Sequence, residues 1–371
     1  IFFQKFSVSL HEGLLGKEIS QYNQPGLKST TTKRGDGSVD DEERKIAQRM
    51  KKIGKWEDTS LKNLVFFRQN TKWVYIYYIK DECWANIRLM IDFLLPPGHK
   101  TVLLPNGFAY MVGGDREKNF NDVFMYDTTQ TYNTTLTRRQ SSLYGHAFHS
   151  LVHAGKYLYA LGGSRDQYKK CERYDIINDE WEPIADMING RYFHSACNYA
   201  NRYIYVFGGC DGEGNITSAD KLMERYEIAT DKWTVLKFSG YSAWNGSSLS
   251  GLYPVSESEI LIFGGIDSAT SSPSKEVYYF NMKERECYRS DFELPEEADF
   301  ITSISYARYS RRKALEGDEE ASFQLYANND ESNVFVYDSK EKDWKMLDVK
   351  MNMEPIHTQK GGCEKCCEFN Q

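Results

Sequence analysis

The chain has 371 residues, a net charge of −7, 14% aromatic residues and 27 glycines. Residues 1–60 carry a net of +2 and the remainder a net of −9, which argues against a duplex nucleic-acid binder, since that activity needs a basic patch. No apolar run approaches the roughly 20 residues of a membrane-spanning helix, and the cysteines form no small disulfide framework, so no membrane association, reduced thiols and a cytoplasmic location are expected.

Taken in chain order, residues 1–61 read as a short helical and disordered extension. The chain opens on Ile1, so an upstream domain missing from it is expected. Segment 23–37, rich in Thr, Ser, Gly and Lys, reads as a flexible linker. A helix is predicted over about 40–53. Ser38 with Asp41 forms a capping box, Asp40 to Glu43 suit the positive end, Lys51 and Lys52 suit the last turn, and Gly54 stops it. Ile46, Met50 and Ile53 share one face of this helix, which is expected to dock on the beginning of the domain that follows it.

From residue 62 the chain repeats itself. An aromatic followed seven positions later by Trp occurs at Tyr77/Trp84, Tyr174/Trp181, Tyr226/Trp233 and Tyr337/Trp344. Degraded copies stand at Tyr126/Asn133 and Phe280/Cys287. The second positions succeed one another at intervals of 48 to 57 residues. Four copies carry a double glycine upstream, after an apolar run: Gly113-Gly114, Gly162-Gly163, Gly208-Gly209 and Gly264-Gly265. A further apolar stretch precedes each, as in Phe148–Val152, Phe193–Cys197 and Ile301–Ser305. Each repeat therefore reads as four strands. Residues an odd number apart across a hairpin with an even loop stand opposite each other on one face of the sheet, so each Tyr–Trp pair becomes packing between neighbouring sheets. The double glycine ends a strand where the chain must turn without a Cβ, with φ > 0.

The double glycine, the later Tyr, the six-residue gap and the Trp resemble the kelch repeat. Arg191-Tyr-Phe-His194-Ser195 is similar to the Arg and His-Ser at the start of many such repeats. The resemblance implies an all-β fold: a six-bladed β-propeller of four-stranded antiparallel blades over residues 62–362, with a tail at 363–371 that holds Cys363, Cys366 and Cys367. The first repeat lacks an inner strand, and the segment from Pro355 to Gly361 is expected to supply it and close the ring.

The resemblance also implies a non-catalytic scaffold or adaptor for a protein partner, including a substrate receptor in ubiquitination. Two alternatives stay open: a propeller enzyme such as a copper oxidase or sugar-modifying enzyme, and a cytoskeletal part. No cofactor or metal is expected. The His residues show no convergent ligand pattern, His149 and His194 occupy equivalent repeat positions, and the tail has a single CxxC. Cys210, after a double glycine, is expected to be exposed. Loops on rigid scaffolds carry binding residues. The loops after the double glycines and the links between blades should share one face, carrying Arg116, Arg165, Tyr168 and Arg191 with Arg139, Tyr144 and Trp244. Arg, Tyr and Trp dominate interface hot spots, and several Arg would grip an acidic peptide.

Overall fold

The computed structural model describes residues 63–78, 83–115, 121–130, 133–163, 167–215, 223–237, 247–256, 258–267, 270–298, 302–306, 324–328 and 334–347. The predicted linker, helix, closing segment and Cys tail lie outside them.

The described strands fall into six consecutive antiparallel blade sheets and one two-stranded sheet that pairs Ser247–Ser248 with Ile266–Asp267. Blade two runs Lys100–Leu103, Phe108–Val112, Val123–Asp127 and Thr137–Arg138. Blade three runs Ser150–Ala154, Tyr157–Leu161, Cys171–Asp175 and Glu180–Pro183. Blade four runs Ser195–Tyr199, Tyr203–Phe207, Met223–Glu227 and Lys232–Val235. Blade five runs Gly251–Pro254, Glu259–Phe263, Val277–Asn281 and Glu286–Arg289. Blade six runs Thr302–Tyr306, Gln324–Asn328, Val334–Asp338 and Asp343–Leu347. Blade one shows three strands among the described residues: Asn63–Phe67, Trp73–Tyr78 and Cys83–Arg88.

These blades form a ring because each sheet is apolar on both faces. Successive side chains of a strand point to opposite sides. Leu158 and Ala160 therefore pack towards blade two, while Tyr159 and Leu161 pack towards blade four. The core is accordingly a circle of inter-blade layers, between blades two and three, three and four, four and five, and five and six. The last layer joins Leu64, Val65 and Phe66 of blade one to Met111 and Phe124 of blade two and to Tyr326 and Val336 of blade six. The ring thus closes by packing of the first blade on the last.

The register matches the sequence reading in four blades. Tyr77 stands opposite Trp84, Tyr174 opposite Trp181, Tyr226 opposite Trp233 and Tyr337 opposite Trp344. Their ring centroids lie 5.0–5.4 Å apart. Phe280 also faces Cys287. Blade two departs. Its outer strand places Thr137 across from Met125, so Asn133 is not opposite Tyr126; it sits in the longer turn, where its carbonyl accepts the Tyr126 hydroxyl at 2.8 Å.

The Trp also ties blade to blade. Asp179 in the hairpin turn accepts the Tyr174 hydroxyl at 2.5 Å and the Gln140 backbone N–H at 2.9 Å, while the Trp181 indole donates to the Gln140 carbonyl at 2.9 Å. Asp231 and Trp233 clasp both sides of the Ala185 peptide in the same way, at 2.8 Å each. Both Asp residues are left-handed, with φ of 57° and 51°, a conformation their short polar side chain tolerates.

The double glycines adopt φ of 58–64° at the first position and 88–117° at the second. At Gly163 a Cβ would lie 2.7 Å from the Ala147 carbonyl oxygen, so here the bare backbone lets the link between blades cross close by.

Candidate partner-binding face

Each inner strand starts, and each double-glycine strand ends, at the same end of its blade. The double-glycine loops and the links therefore share one face. On its rim, four left-handed residues precede the inner strands of blades two to five: Gly98, Phe148, Phe193 and Leu249, with φ of 55–72°. Their backbones relay hydrogen bonds from blade to blade. Phe148 N–H donates to Gly98 at 2.8 Å, Phe193 to Phe148 at 2.9 Å, and Leu249 to Phe193 at 2.9 Å.

Glycine holds this conformation without strain, whereas a phenylalanine gives up roughly 1–2 kcal/mol. Phe148 and Phe193 are half-buried and continue into a row of rings. Phe148 lies 4.9 Å from Phe193, Phe193 4.8 Å from Tyr192, and Tyr192 5.9 Å from Tyr168. Tyr168 rests on the next loop, where a Cβ on Gly212 would come within 3.1 Å of its ring. Leu143 and Ile188, at equivalent places in two successive links, are 54% and 44% exposed and add apolar surface.

Of the residues expected on this face, Tyr168 and Tyr144 are half-exposed on it, and Lys170 Nζ sits 5.6 Å from the Tyr144 ring. Arg116, Arg165 and Trp244 lie outside the described residues. Arg191 must be withdrawn. It is fully buried, its guanidinium bound to Glu224 at 2.7 Å and to the Gly208 carbonyl at 2.8 Å. Glu224, itself fully buried, also accepts the N–H groups of Ile188 and Asn189 at 2.9 and 3.0 Å. Arg191 is thus a brace between blades three and four, and a buried charge survives only so paired. Arg139 is partly buried and already engaged within the ring. Its side chain is 14% exposed, donating to the Tyr174 hydroxyl at 3.2 Å and pairing with Asp179 at 3.4 Å.

The sequence reading missed Phe148 and Phe193 as rim residues, taking both into the inner strand. It paired His149 with His194 but missed their third equivalent, His99, one residue after Gly98. All three are buried, and burial holds each imidazole neutral: His99 is pushed down to about 3, His149 and His194 well below the usual range. Among the described residues, no three His, Cys, Asp or Glu side chains gather as metal ligands would. Cys210 is buried rather than exposed, and burial pushes its thiol up to about 11, which disfavours the thiolate.

Comparison with known proteins agrees with this architecture. The family model described as the KLHDC2/KLHL20/DRC7 Kelch-repeats domain matches residues 98–291 and 148–363. Kelch-like protein 23 of Homo sapiens is 31% identical over 202 residues, covering 53% of this chain and 34% of that protein. Kelch-like protein 15 of Danio rerio is 27% identical over 199 residues, 47% of this chain and 32% of that protein. A RING finger domain and kelch repeat-containing protein of Dictyostelium discoideum is 27% identical over 181 residues, 47% of this chain and 17% of that protein. The chain thus spans about a third or less of the length of these relatives. With its double glycines, its opposed Tyr–Trp pairs and its ring of six sheets, the chain belongs to the kelch-repeat family.

Proposed function

We propose that this chain is a non-catalytic interaction module that captures a protein partner on the face built from links and double-glycine loops. Tyr168, Tyr192, Phe193 and Phe148 form its floor, with Tyr144 on the same face; Arg116, Arg165 and Trp244, which lie outside the described residues, are kept as further contacts on the grounds of their places in the sequence alone. The observation that carries this reading is the half-exposed aromatic row, two of whose rings stand on left-handed backbone where glycine would be unstrained. Rigid aromatics supply contact area at small entropic cost and recur as binding hot spots. The kelch-like relatives support a protein ligand. The RING finger domain in the name of the Dictyostelium relative supports a finer version, a substrate receptor in ubiquitination in the cytoplasm.

The test is an affinity pull-down with the intact chain against a Tyr168→Ala/Tyr192→Ala double variant of equal denaturation midpoint. Loss of at least one partner by roughly tenfold or more is expected. Retention of every partner would place the binding site elsewhere, and stoichiometric copper in the purified protein would favour the oxidase reading instead.

A further inference from the structure

Asp211 and Glu213 stand at one end of the aromatic row, in the double-glycine loop of blade four. The loop closes on itself. Asp211 N–H donates to the Asn215 carbonyl at 2.8 Å, and Asp211 Oδ1 accepts the N–H groups of Glu213 and Asn215 at 3.0 Å each. Asn215 Nδ2 lies 3.5 Å from Asp211 Oδ2 and 3.4 Å from Glu213 Oε2, which holds the two carboxylates near one another. All of these donors are neutral. Among the described residues, no basic side chain pairs with either carboxylate, and Glu213 is exposed. By contrast, Asp186 on the neighbouring link pairs with Lys170 at 2.7 Å, and the Lys169 stem runs along Gly190.

This acidic loop lies against both tyrosines of the row. A Cβ on Gly212 would come within 3.1 Å of the Tyr168 ring, and one on Gly214 within 3.5 Å of the Tyr192 hydroxyl. Backbone bonds hold the three segments in place. Tyr192 and Cys210 exchange both bonds of an antiparallel bridge, at 2.9 and 2.8 Å, and the Arg191 N–H donates to the Tyr168 carbonyl at 2.8 Å. Burial pushes the Tyr192 phenol up, and the charge of Asp211 adds to that push, so the carboxylate acts on the ring system directly. The result is a pair of half-exposed rings, 5.9 Å apart and tilted by 47°, bordered by two carboxylates that no cation of the described chain neutralises.

The face of an aromatic ring attracts a cation, and a carboxylate beside it attracts the same cation. A guanidinium satisfies both. It is planar, stacks on a ring, turns its N–H edge to carboxylate oxygens, and is more weakly hydrated than an ammonium. The expectation of an acidic peptide on this face rested on arginines, two of which, Arg139 and Arg191, are engaged within the ring. We propose that the Tyr168–Tyr192 end of the row, with Asp211 and Glu213, is a subsite for an arginine side chain of the protein partner. This subsite rests on the binding face proposed above and gives its ligand a chemistry. The guanidinium lies on the tyrosine rings and points its N–H groups at the two carboxylates. The row becomes purely apolar at Phe193 and Phe148, which sets the charged group at one end and so orients the partner segment. The net charge of −9 on the chain after residue 60 favours the same ligand at longer range.

Calorimetric titration of the intact chain with an N-acetylated, C-amidated tetra-arginine peptide tests the subsite. Tetra-citrulline, which keeps the shape of the side chain and lacks its charge, is the reference. Tetra-arginine should bind about tenfold tighter. Asp211→Asn/Glu213→Gln should abolish that preference with the loop intact, since the amide oxygen at 211 still accepts both N–H groups. Tyr168→Ala/Tyr192→Ala should weaken it as much. Glu284→Gln/Glu286→Gln, an exposed pair on the outer hairpin of blade five, makes the same change in net charge and should leave the preference unchanged. No preference in the wild type, or an equal loss at the blade-five pair, would overturn the subsite. The pull-down then separates it from the face. The acidic-loop variant should lose the partners that the tyrosine variant loses. If it retains all of them, the face stands and the arginine subsite falls; if the tyrosine variant itself retains every partner, the face falls and takes the subsite with it.

Discussion

Blades four and five make the same hairpin with different chemistry. Blade four opposes Tyr226 to Trp233, turns through Asp231, and buries Glu224 against Arg191. Blade five opposes Phe280 to Cys287, turns through Arg285, and has Tyr278 and Ser247 at the chain positions of Glu224 and Arg191. Phe280 and Cys287 are nonetheless almost wholly buried, and the strand pairing is the same. Opposed apolar side chains across the hairpin are therefore enough to make a blade. The clasp and the ion pair add attachment to the neighbouring blade, and blade five carries Arg285 and Tyr278 where blade four has Asp231 and Glu224.

The largest expected effect sharpens this contrast through acid. Burial depresses His99, His149 and His194, whereas blade five has Ser250 at the equivalent place. The unfolded chain binds protons that these folded imidazoles refuse, so stability is full above about pH 6.5 and falls as pH drops below it. Denaturation midpoints measured from neutral to acidic pH should show a slope that His194→Ser, copying blade five, makes shallower. An unchanged slope would mean that the imidazole is hydrated in solution.

Next in size is Glu224→Ala, which strands a buried guanidinium and should cost about 3–5 kcal/mol in chemical denaturation. Tyr278→Phe in blade five removes a hydrogen-bond donor only from Glu276, which is partly exposed and still paired with Arg289, and should cost far less. Comparable losses at the two sites would erase the distinction between the blades.

Gly163→Ala should cost about 2–3 kcal/mol, because it adds a Cβ at φ of 117° against a carbonyl oxygen. Gly155→Ala, at φ of 61° with nothing within 4 Å, should cost only about 1 kcal/mol. Equal losses would reduce the double glycine to a matter of dihedral angle alone.

The smallest contrast is between hairpin turns. Asp231→Ala removes the acceptor for the Tyr226 hydroxyl and the Ala185 N–H and should cost about 1–3 kcal/mol. Arg285→Ala, at the same place in blade five, should stay within about 0.5 kcal/mol. A substantial loss at Arg285 would reveal attachment in blade five that its side chains do not advertise.

How much of this was legible in the sequence depends on the range of each interaction. The Tyr–Trp register spans seven residues and one turn, so spacing alone places both partners. The double glycine reports a local backbone demand. Blade two escaped that logic because its turn is longer, which moves Asn133 out of register although the spacing to Tyr126 is kept. The site was less legible. Arg191 looks like a surface arginine until Glu224, 33 residues later, is brought against it. His146, bonded to the Gly162 carbonyl and Glu172 as Arg191 is to the Gly208 carbonyl and Glu224, gives no sign in sequence that it stands in for an arginine. Phe148 and Phe193 look like the start of a strand, since left-handed backbone leaves no mark on a residue chosen against that preference.

The rim relay has a consequence for how such a face can diversify. Its inter-blade bonds run between backbone groups, through glycine at 98, phenylalanine at 148 and 193, and leucine at 249, along an unchanged chain path. Connection between wedges is thereby uncoupled from the identity of the side chain displayed. A lineage can exchange the groups offered on the rim, at the modest expense of a strained dihedral, and keep the hoop that carries them.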